Sequence, residues 1–424
     1  MKYKMNLDNN TYDEIKQYYD EVLNKDKSTY KNSNDEPTPM SCIEEMLSKL
    51  PDNVWNKRVK ILDPCSGNGN FHLFAWKKLR DAGVDTESIV TNNLYFNDIN
   101  AARLSNVREV FGENCNVTQQ DFLSLEETEQ YDVIYANPPY AKFTEDNKRA
   151  SKNHTLVRDF LAKSLSLLKD DGYLIYIIPD NWMSLADRNK VIKEITQYQF
   201  LHLDIHGAKK WFPKVGSSFT WFVLQKTKAE KPYSVVSKYK KNIYTSEVVS
   251  GERSFIPLVW TKEVGSIFEK TIEKNNKKYH VETTSDLHKY TKRDLISPVA
   301  DSSHPYRLIH TPKQTVWASR PHKYQEGYKT FISTTDKYST FVDDCGMTQS
   351  IAFIRCDSKT QAENIKKVLD HDLYKFINNV CRWGNFNNIR ILQQFPIPED
   401  TQDIYDSFSI TENEIKFIEE FLSS

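Results

Sequence analysis

The residues with the most evident chemical potential form a short motif directly after an apolar, strand-like run at residues 131–136. The motif consists of Asn137, Pro138, Pro139 and Tyr140. Two consecutive prolines cannot continue a sheet, and they fix the backbone that holds the Asn side chain and the carbonyl that follows it. These two acceptors can bind both hydrogens of a planar NH2 group and make its nitrogen a better nucleophile. Tyr140 would then stack on the ring that carries the amine.

A glycine-bearing turn follows the first predicted strand, which spans residues 59–62. The turn consists of Asp63, Pro64, Cys65, Ser66, Gly67, Asn68 and Gly69. Ligands of doubly wound sheets bind beyond the carboxyl ends of the strands, where glycines let the backbone approach them closely. The spacing lacks the third glycine of the dinucleotide fingerprint, which fits a ligand without a pyrophosphate. An ordinary turn that ends in a helix cap is the alternative.

Acidic residues also follow the next two strand-like segments. Asp98 comes after the predicted strand 93–96, where an acid in such folds accepts hydrogen bonds from ribose hydroxyls. Capping of the helix that begins at Ala101 is the competing interpretation. Asp121 and Phe122 close the third strand region and offer an acceptor for an exocyclic amine beside an apolar ring. The three strand ends therefore indicate a nucleoside-like ligand, although an exposed strand-end Asp121 without a ligand stays open.

Alternating strand-like and helical patterns over residues 41–226 must position these motifs. The predicted strands are 59–62, 93–96, 131–136, 173–178, 200–205 and 219–224, and the predicted helices are 42–50, 71–81, 101–111, 157–168 and 185–198. Ser41 and Glu44 predict a capping box at the start of the first helix. Strands that alternate with helices favour an α/β fold with a doubly wound, mostly parallel sheet that is covered on both faces.

The regular alternation stops at about residues 227–232, and the remaining chain is irregular, polar and rich in interleaved basic and aromatic residues. We predict an N-terminal extension over residues 1–37, an α/β domain over 38–228 and a second, α+β domain over 229–424.

Charge is unevenly spread along the 424 residues, although the formal net charge is only -1. Residues 1–200 carry 25 basic and 31 acidic side chains, residues 201–400 carry 31 and 21, and the last 24 residues carry 1 and 6. The neutral total therefore conceals a basic second half, which suits a polyanionic partner.

Composition and spacing exclude several other classes of protein. An apolar content of 39% is too high for a disordered chain, and no apolar run approaches the ~18 residues of a membrane helix. The six cysteines lie far apart without a C-x-x-C pair, so we predict no metal site, and we expect reduced thiols in a cytoplasmic compartment.

With these motifs in place, the chain resembles the S-adenosylmethionine-dependent DNA adenine-N6 methyltransferases of restriction-modification systems. Its order of motifs is that of the gamma class, and the resemblance is clear over about residues 35–226. It implies a Rossmann-like catalytic domain, S-adenosylmethionine as cofactor and double-stranded DNA with a flipped-out adenine as substrate. It also implies that residues 229–424 form a target recognition domain and that a separate cognate restriction endonuclease is a candidate partner.

The resemblance assigns a cofactor role to a set of residues at the strand ends. These are Thr38, Asp63, Pro64, Cys65, Gly67, Gly69, Asp98, Ile99, Asp121 and Phe122. Thr38 matches the position that holds the methionine carboxylate in the family, and Asp98 matches the acid that binds the ribose.

The catalytic role falls on residues 137–140, and the resemblance adds a second aromatic residue from the loop 211–214. Phe212 is predicted to stack on the target base opposite Tyr140. Trp211 and Phe219 are alternatives for that role, as is a plain core position for Phe212 itself.

Polar residues of the second half are candidates for DNA binding. They are Arg307, Arg320, Lys323, Arg382, Asn385 and Arg390. Arg and Asn suit guanine and adenine edges, whereas Lys mostly neutralises phosphates. Segments 381–388 and 394–398 are similar to the ends of recognition domains in the family. A solvated basic face is the alternative for any one of these residues.

Other activities stay open at this point. Protein-glutamine and RNA-adenine methyltransferases share the Asn-Pro-Pro-Tyr motif, and cytosine-N4 methylation uses a related one. A non-catalytic DNA-binding specificity protein is a further alternative. A nuclease is disfavoured because the sequence contains no convincing P-D…E-x-K arrangement.

Overall fold

The computed structural model describes residues 5–26, 28, 36–126, 130–140, 155–187, 189–213, 215–400 and 402–424. These residues divide into two compact units. The first unit is Met1–Asp180, Lys190–Ser237 and Thr245–Arg253, and the second is Asn181–Asn189, Lys238–Tyr244 and Ser254–Ser424. The domain limits at 37/38 and 228/229 stay predictions.

Nine strands form one large sheet. They are β1 Ile61–Asp63, β2 Leu94–Asn97, β3 Asn116–Thr118, β4 Tyr131–Ala136, β5 Leu168–Pro179, β6 Tyr198–Ile205, β7 Phe219–Lys228, β8 Tyr233–Tyr239 and β9 Asn242–Val248. Their order is β3-β2-β1-β4-β5-β7-β6-β8-β9, with β7 antiparallel to both β5 and β6. The first five strands pair in parallel. The predicted doubly wound, mostly parallel sheet is confirmed.

Several helices accompany the strands of this sheet. They are α1 Tyr12–Glu21, α2 Met40–Leu47, α3 Asn70–Asp81, α4 Thr86–Ser88, α5 Ala101–Phe111, α6 Thr155–Leu167 and α7 Val191–Thr196. Helix α5 has the predicted limits, and α3 begins one residue earlier than predicted. The helix predicted at 185–198 is wrong in length, because only α7 forms there. Before α7, the Asn189 side chain donates to the backbone carbonyls of Trp182 at 2.7 Å and Ser184 at 2.8 Å, which holds this segment in a loop.

The predicted capping box of Ser41 and Glu44 is also wrong. Helix α2 begins one residue earlier than Ser41, and Pro39 is its N-cap, so the Ser41 hydroxyl lies inside the first turn. The Glu44 carboxylate instead accepts from the Tyr12 hydroxyl at 2.7 Å and from Lys16 Nζ at 2.7 Å. A tertiary contact to α1 therefore takes the side chain that the local pattern assigned to capping.

The order of strands creates a crevice between β1 and β4. The chain proceeds from β1 to β2 and β3 on one side, whereas β4 pairs with β1 on the other side, in the register Ile61↔Val133 and Leu62↔Ile134. The connections that leave β1 and β4 therefore diverge, which is where doubly wound sheets bind ligands. Asp63 ends β1 and Asn137 follows β4, so the two predicted motifs lie at this crevice.

The second unit is α+β, as predicted. Its strands are β10 Ile296–Ser297, β11 Tyr306–Thr311, β12 Gln314–Ala318, β13 Lys329–Ser333, β14 Thr340–Asp343, β15 Gly346–Met347 and β16 Ile351–Arg355. They form a sheet of order β10-β12-β11-β15 and another of order β14-β13-β16. Its helices are α8 Lys262–Phe268, α9 Lys359–Leu369, α10 Asp372–Val380, α11 Ile389–Leu392, α12 Ile404–Ser407 and α13 Glu412–Ser423. No helix in the described part of the chain is long and apolar enough to cross a bilayer.

Gly69 and Gly83 offer a matched pair of substitutions. Both have left-handed backbones, with φ of +86° and +84°, but a Cβ on Gly69 would lie 2.9 Å from Phe111 Cε2, whereas no described atom lies within 4 Å at Gly83. We expect Gly83→Ala to cost about 1 kcal/mol of unfolding free energy and Gly69→Ala about 1–3 kcal/mol more, because the core must also shift. Urea unfolding of both variants tests this, and equal losses would contradict it.

Candidate active site

A cavity of about 760 Å³ lies at the crevice between β1 and β4, a volume typical of ligand sites. Most of the predicted site residues line it: Thr38, Asp63, Pro64, Cys65, Gly67, Asp98, Ile99, Asp121, Phe122, Asn137, Pro138, Pro139, Tyr140 and Phe212. Gly69 is not among the lining residues. Its Cα faces Phe111 and Phe96 in the core, so its role in this structure is close packing at the start of α3.

The glycine turn is tied to the end of β2 through Asp98. Gly67, with φ of +55°, donates its N–H to Asp98 Oδ2 at 2.8 Å, and Asn100 N donates to Asp98 Oδ1 at 2.8 Å. Helix α5 is capped by the side chain of Asn100, which accepts from Ala102 N. Asn100, and not Asp98, therefore caps α5. A carboxylate has about four acceptor positions, so Asp98 retains capacity for ligand hydroxyls.

Asp63 places a second carboxyl group beside the same cavity. Its side chain is buried and accepts from Cys65 N at 3.2 Å. Burial raises the pKa of Asp63 well above its usual range, the nearby charge of Asp98 raises it further, and the Cys65 amide opposes the shift. A cationic ligand at this wall would offset the cost of the buried negative charge.

Two buried polar atoms in the cavity wall also favour a polar ligand. Ser66 Oγ and Asn97 Oδ1 find no hydrogen-bond partner among the described residues. The amide group of Asn97 is oriented by donation to the carbonyls of Pro64 at 2.9 Å and Gln120 at 3.2 Å. Buried polar groups in folded proteins are nearly always paired, so these two atoms fit a polar ligand.

The far end of the cavity combines an acid with apolar side chains. Asp121 is exposed, and its Oδ1 accepts from Leu123 N at 3.1 Å. Phe122 is buried and packs against Phe160, with ring centroids 5.2 Å apart. Ile99 lines the cavity although its side chain is 62% exposed, which is unusual for a large apolar residue. A planar base covered by Ile99 would remove that surface from water.

The Asn-Pro-Pro-Tyr motif is held in one orientation by hydrogen bonds. Asn137 Nδ2 donates to Thr38 Oγ1 at 3.1 Å, and the Tyr140 hydroxyl donates to Asn137 Oδ1 at 2.6 Å. The amide oxygen of Asn137 therefore faces Tyr140 and the cavity. Burial raises the pKa of Tyr140 above its ordinary value, which keeps its hydroxyl a donor. The thiol of Cys65 contacts the Asn137 carbonyl at 3.6 Å, which links the glycine turn to the motif.

Aromatic rings form the wall beside Tyr140. The Phe219 ring centroid lies 5.8 Å from that of Tyr140 and 5.4 Å from that of Phe212. Phe212 is 6% exposed and lines the cavity. The Trp211 ring instead packs against Lys210, whose Nζ lies 3.9 Å from the ring centroid. Phe219, named from the sequence as an alternative, is thus in ring contact with Tyr140. Lys214 of the same loop lies outside the described residues.

All four arginines predicted to bind DNA have protein partners in the second unit. The pairs are Arg307 with Asp343, Arg320 with Asp286, Arg390 with Asp187, and Arg382 with the Asn385 carbonyl. Lys323 and Asn385 are exposed, and Lys323 Nζ lies 4.6 Å from the Tyr324 ring centroid. To donate the same hydrogens to a base edge or phosphate, an arginine of the first three pairs must first give up its ion pair with the aspartate.

Comparison with known proteins bears on the first unit. Residues 44–212 match the family model of the Eco57I restriction-modification methylases. The predicted family resemblance is confirmed. A Type II methyltransferase, M.VspI of Vibrio sp., is 26% identical over 39% of this chain and 42% of its own length. An uncharacterized adenine-specific methylase of Mycoplasma pneumoniae is 27% identical over 34% of this chain and 35% of its own length. This chain thus spans less than half of each relative.

One solved structure supports the fold across both units. A nuclease-deletion mutant of the Type ISP restriction-modification enzyme LlaGI, in complex with a DNA substrate mimic, aligns with a TM-score of 0.56 at 13% identity. The alignment covers 95% of this chain and 56% of LlaGI. The fold of this chain is therefore similar to that of part of a longer protein.

Several residues of the cavity wall were not anticipated from the sequence. They are Glu36, Asn97, Arg103, Leu156, Phe160 and Ser217. Asn97 had a signal, because it ends β2 directly before Asp98. The others come from loops and helix faces that the fold brings to the crevice, and no local spacing marks them.

Asp204 near the end of β6 predicts a pH dependence of stability. Its buried carboxylate accepts from Ala208 N at 3.1 Å, and burial raises its pKa to about 6 from 3.8. Between these values the folded protein keeps a proton on Asp204 that the unfolded chain releases, so the contribution of Asp204 to stability is greatest below pH 4 and is lost as pH rises to 6. Relative to Asp204→Asn, we expect the wild type to lose up to about 3 kcal/mol over this interval. Urea unfolding of both proteins from pH 4 to 7 tests this, and parallel curves would contradict it.

Proposed function

We propose that this chain is a site-specific DNA methyltransferase that transfers a methyl group from S-adenosylmethionine to N6 of a flipped-out adenine, as the modification component of a restriction-modification system. The observation that carries the proposal is the arrangement around Asn137, whose amide oxygen faces a cavity shared with the glycine turn and Asp98. The names of the relatives, which include an adenine-specific methylase, support the same activity.

The cavity wall fits the proposed cofactor at several points. Asp98 would accept from the ribose hydroxyls, Asp121 from the adenine amine, and Ile99 with Phe122 would cover the base. Thr38 is close enough to Asn137 to serve both the methionine carboxylate and the catalytic amide. S-adenosylmethionine supplies an electrophilic methyl group on a sulfonium, a cation that suits the acidic wall.

The protein's own contribution to the reaction is to bind and polarise the target amine. Asn137 Oδ1 and the Pro138 carbonyl would accept the two N6 hydrogens and stabilise the positive charge that develops on nitrogen. The Tyr140 hydroxyl occupies Oδ1 in this structure, so the amine must displace it. Before substrate binds, Asn137 Oδ1 is not left without a hydrogen-bond donor, because the Tyr140 hydroxyl donates to it.

An adenine inside a duplex cannot reach this crevice, so it must flip out at a cost of a few kcal/mol. Stacking on Tyr140, with Phe219 or Phe212 on the opposite face, would offset part of that cost at about 1–3 kcal/mol per base. The base would enter beside the Phe219 ring, whose centroid lies 5.8 Å from that of Tyr140 and 5.4 Å from that of Phe212. Some movement of Phe219 or Tyr140 is therefore part of the proposed binding step.

We assign the second unit to target recognition in double-stranded DNA with a short adenine-bearing site. Lys323 and Asn385 of this unit are exposed for phosphate and base contacts. A separate cognate restriction endonuclease and a cytoplasmic location belong to the same proposal.

The proposed substrate is tested by incubating duplex DNA, RNA and protein in parallel with labelled S-adenosylmethionine. Label in DNA alone, followed by sequencing that resolves N6-methyladenine, supports the proposal and identifies the site. Label in protein or RNA would favour the protein-glutamine or RNA-adenine alternative. Absence of cofactor binding in a calorimetric titration would leave only a DNA-binding specificity protein.

Asn137→Ala removes the amide acceptor from the catalytic motif. We expect the rate of methyl transfer to fall by at least about 10²-fold, because one of the two groups that stabilise the developing charge is lost. Cofactor and DNA affinity should stay within a few-fold of wild type. The exposed Asn92, changed to Ala, is the matched control and should keep full activity. Near-normal turnover of Asn137→Ala would rule out the assigned mechanism.

Tyr140→Phe keeps the stacking ring but removes the hydroxyl that occupies Asn137 Oδ1. We expect the KM for DNA to fall about 2–10-fold, since the target amine then displaces no hydrogen bond worth about 0.5–1.5 kcal/mol. Tyr140→Ala should raise the KM instead, because stacking is lost. Steady-state kinetics on a duplex with one site measures both, and a KM for Tyr140→Phe as high as that of Tyr140→Ala would argue against the displacement.

A further inference from the structure

A histidine–aspartate pair joins the ends of β5 and β6 beside the candidate active site. Asp180 directly follows β5, His206 directly follows β6, and His206 Nε2 lies 2.7 Å from Asp180 Oδ2. Both side chains are largely buried, at 18% and 16% exposure. Because β7 runs antiparallel between β5 and β6, these two strands end at the same edge of the sheet as β4, which carries the catalytic motif.

The His206–Asp180 pair lies where the loop 207–218 joins β7. Asp180 N donates to the Ser218 carbonyl at 3.3 Å, and His206 N donates to the Phe219 carbonyl at 3.0 Å. His206 has a left-handed backbone with φ of +68°, which is uncommon for a residue other than glycine. The histidine thus turns the chain out of β6 while its ring reaches across to β5.

The loop 207–218 between β6 and β7 is closed by further contacts of its own. Asp204 accepts from Ala208 N at the beginning of the loop, and Lys209 Nζ donates to the carbonyls of Val215 and Ser217 near its end. Phe212, Val215, Gly216, Ser217 and Phe219 line the cavity, whereas neither His206 nor Asp180 does. The pair can therefore affect the target base only through the loop.

We propose that His206 and Asp180 are positioning residues for the target base. Their hydrogen bond fixes both ends of the loop 207–218, and it thereby holds Phe219 against Tyr140 and Phe212 against Phe219 in the wall that the flipped base must enter. The carboxylate of Asp180 only accepts, so His206 Nε2 carries the hydrogen. The inference rests on the proposed function, because it assigns this aromatic wall to a flipped base.

Loss of the hydrogen bond should weaken base stacking without affecting the cofactor. His206→Phe keeps an aromatic ring without the donor, and Asp180→Leu removes the acceptor. We expect each to raise the KM for DNA about tenfold at unchanged affinity for S-adenosylmethionine. With 2-aminopurine at the target position, each should give brighter emission than wild type, because the flipped base is less well stacked.

Conservative variants and an unrelated pair serve as controls. His206→Gln and Asp180→Asn retain a donor and an acceptor, and should restore most of the wild-type KM and fluorescence. His304→Phe disrupts another histidine–aspartate pair, in the second unit, where His304 Nδ1 lies 3.1 Å from Asp301 Oδ1. That variant should leave the emission of 2-aminopurine unchanged.

Two outcomes would overturn the inference separately from the proposed function. Wild-type KM and emission in His206→Phe, with active wild-type enzyme, would exclude a positioning role. Glutamine and asparagine variants as impaired as the phenylalanine and leucine variants would assign the pair to general stability instead. A wild-type protein that methylates no DNA would overturn the proposed function itself, and the inference with it.

Discussion

The parallel pairing of β1 with β4 is the constraint on which the rest of the candidate site depends. Ile61 and Leu62 lie beside Val133 and Ile134, so both strands end at one edge and the chain leaves them in opposite directions. The buried Asp63 and Asn137 meet at that edge although 73 residues separate them in the sequence. A slip of this register would turn side chains to the wrong face of the sheet and separate the two motifs.

Hydrogen bonds across the crevice convert this proximity into a single chemical unit. Thr38 orients the Asn137 amide, Cys65 contacts the Asn137 carbonyl, and Asp98 holds the glycine turn. Each link joins a group attributed to cofactor binding with another part of the site. Under the proposed function, cofactor binding and amine activation are structurally coupled, because a shift of Thr38 would also rotate the Asn137 amide. Such a movement is costly where it leaves a buried acceptor unpaired, at about 1–3 kcal/mol.

Sequence periodicity predicted the sheet and many of its limits, because strands buried on both faces and amphipathic helices carry strong local signals. Helix 101–111 and strand 131–136 have the expected ends. Strand-end chemistry also predicted most of the cavity wall. The predicted capping box failed because Glu44 has a tertiary partner, Lys16. The Thr38–Asn137 contact spans 99 residues, so no local pattern encodes it.

The uneven charge of the chain takes on a more specific meaning once the contacts are known. Basic and acidic side chains are nearly balanced over residues 229–424, at 27 and 26, and Arg307, Arg320 and Arg390 each pair with a carboxylate. Under the proposed function, exposed lysines such as Lys323 would contribute more directly than these arginines to attraction of DNA. The ion pairs would also favour recognition over non-specific binding, because only a well-matched site would compensate for the ion pair that is given up.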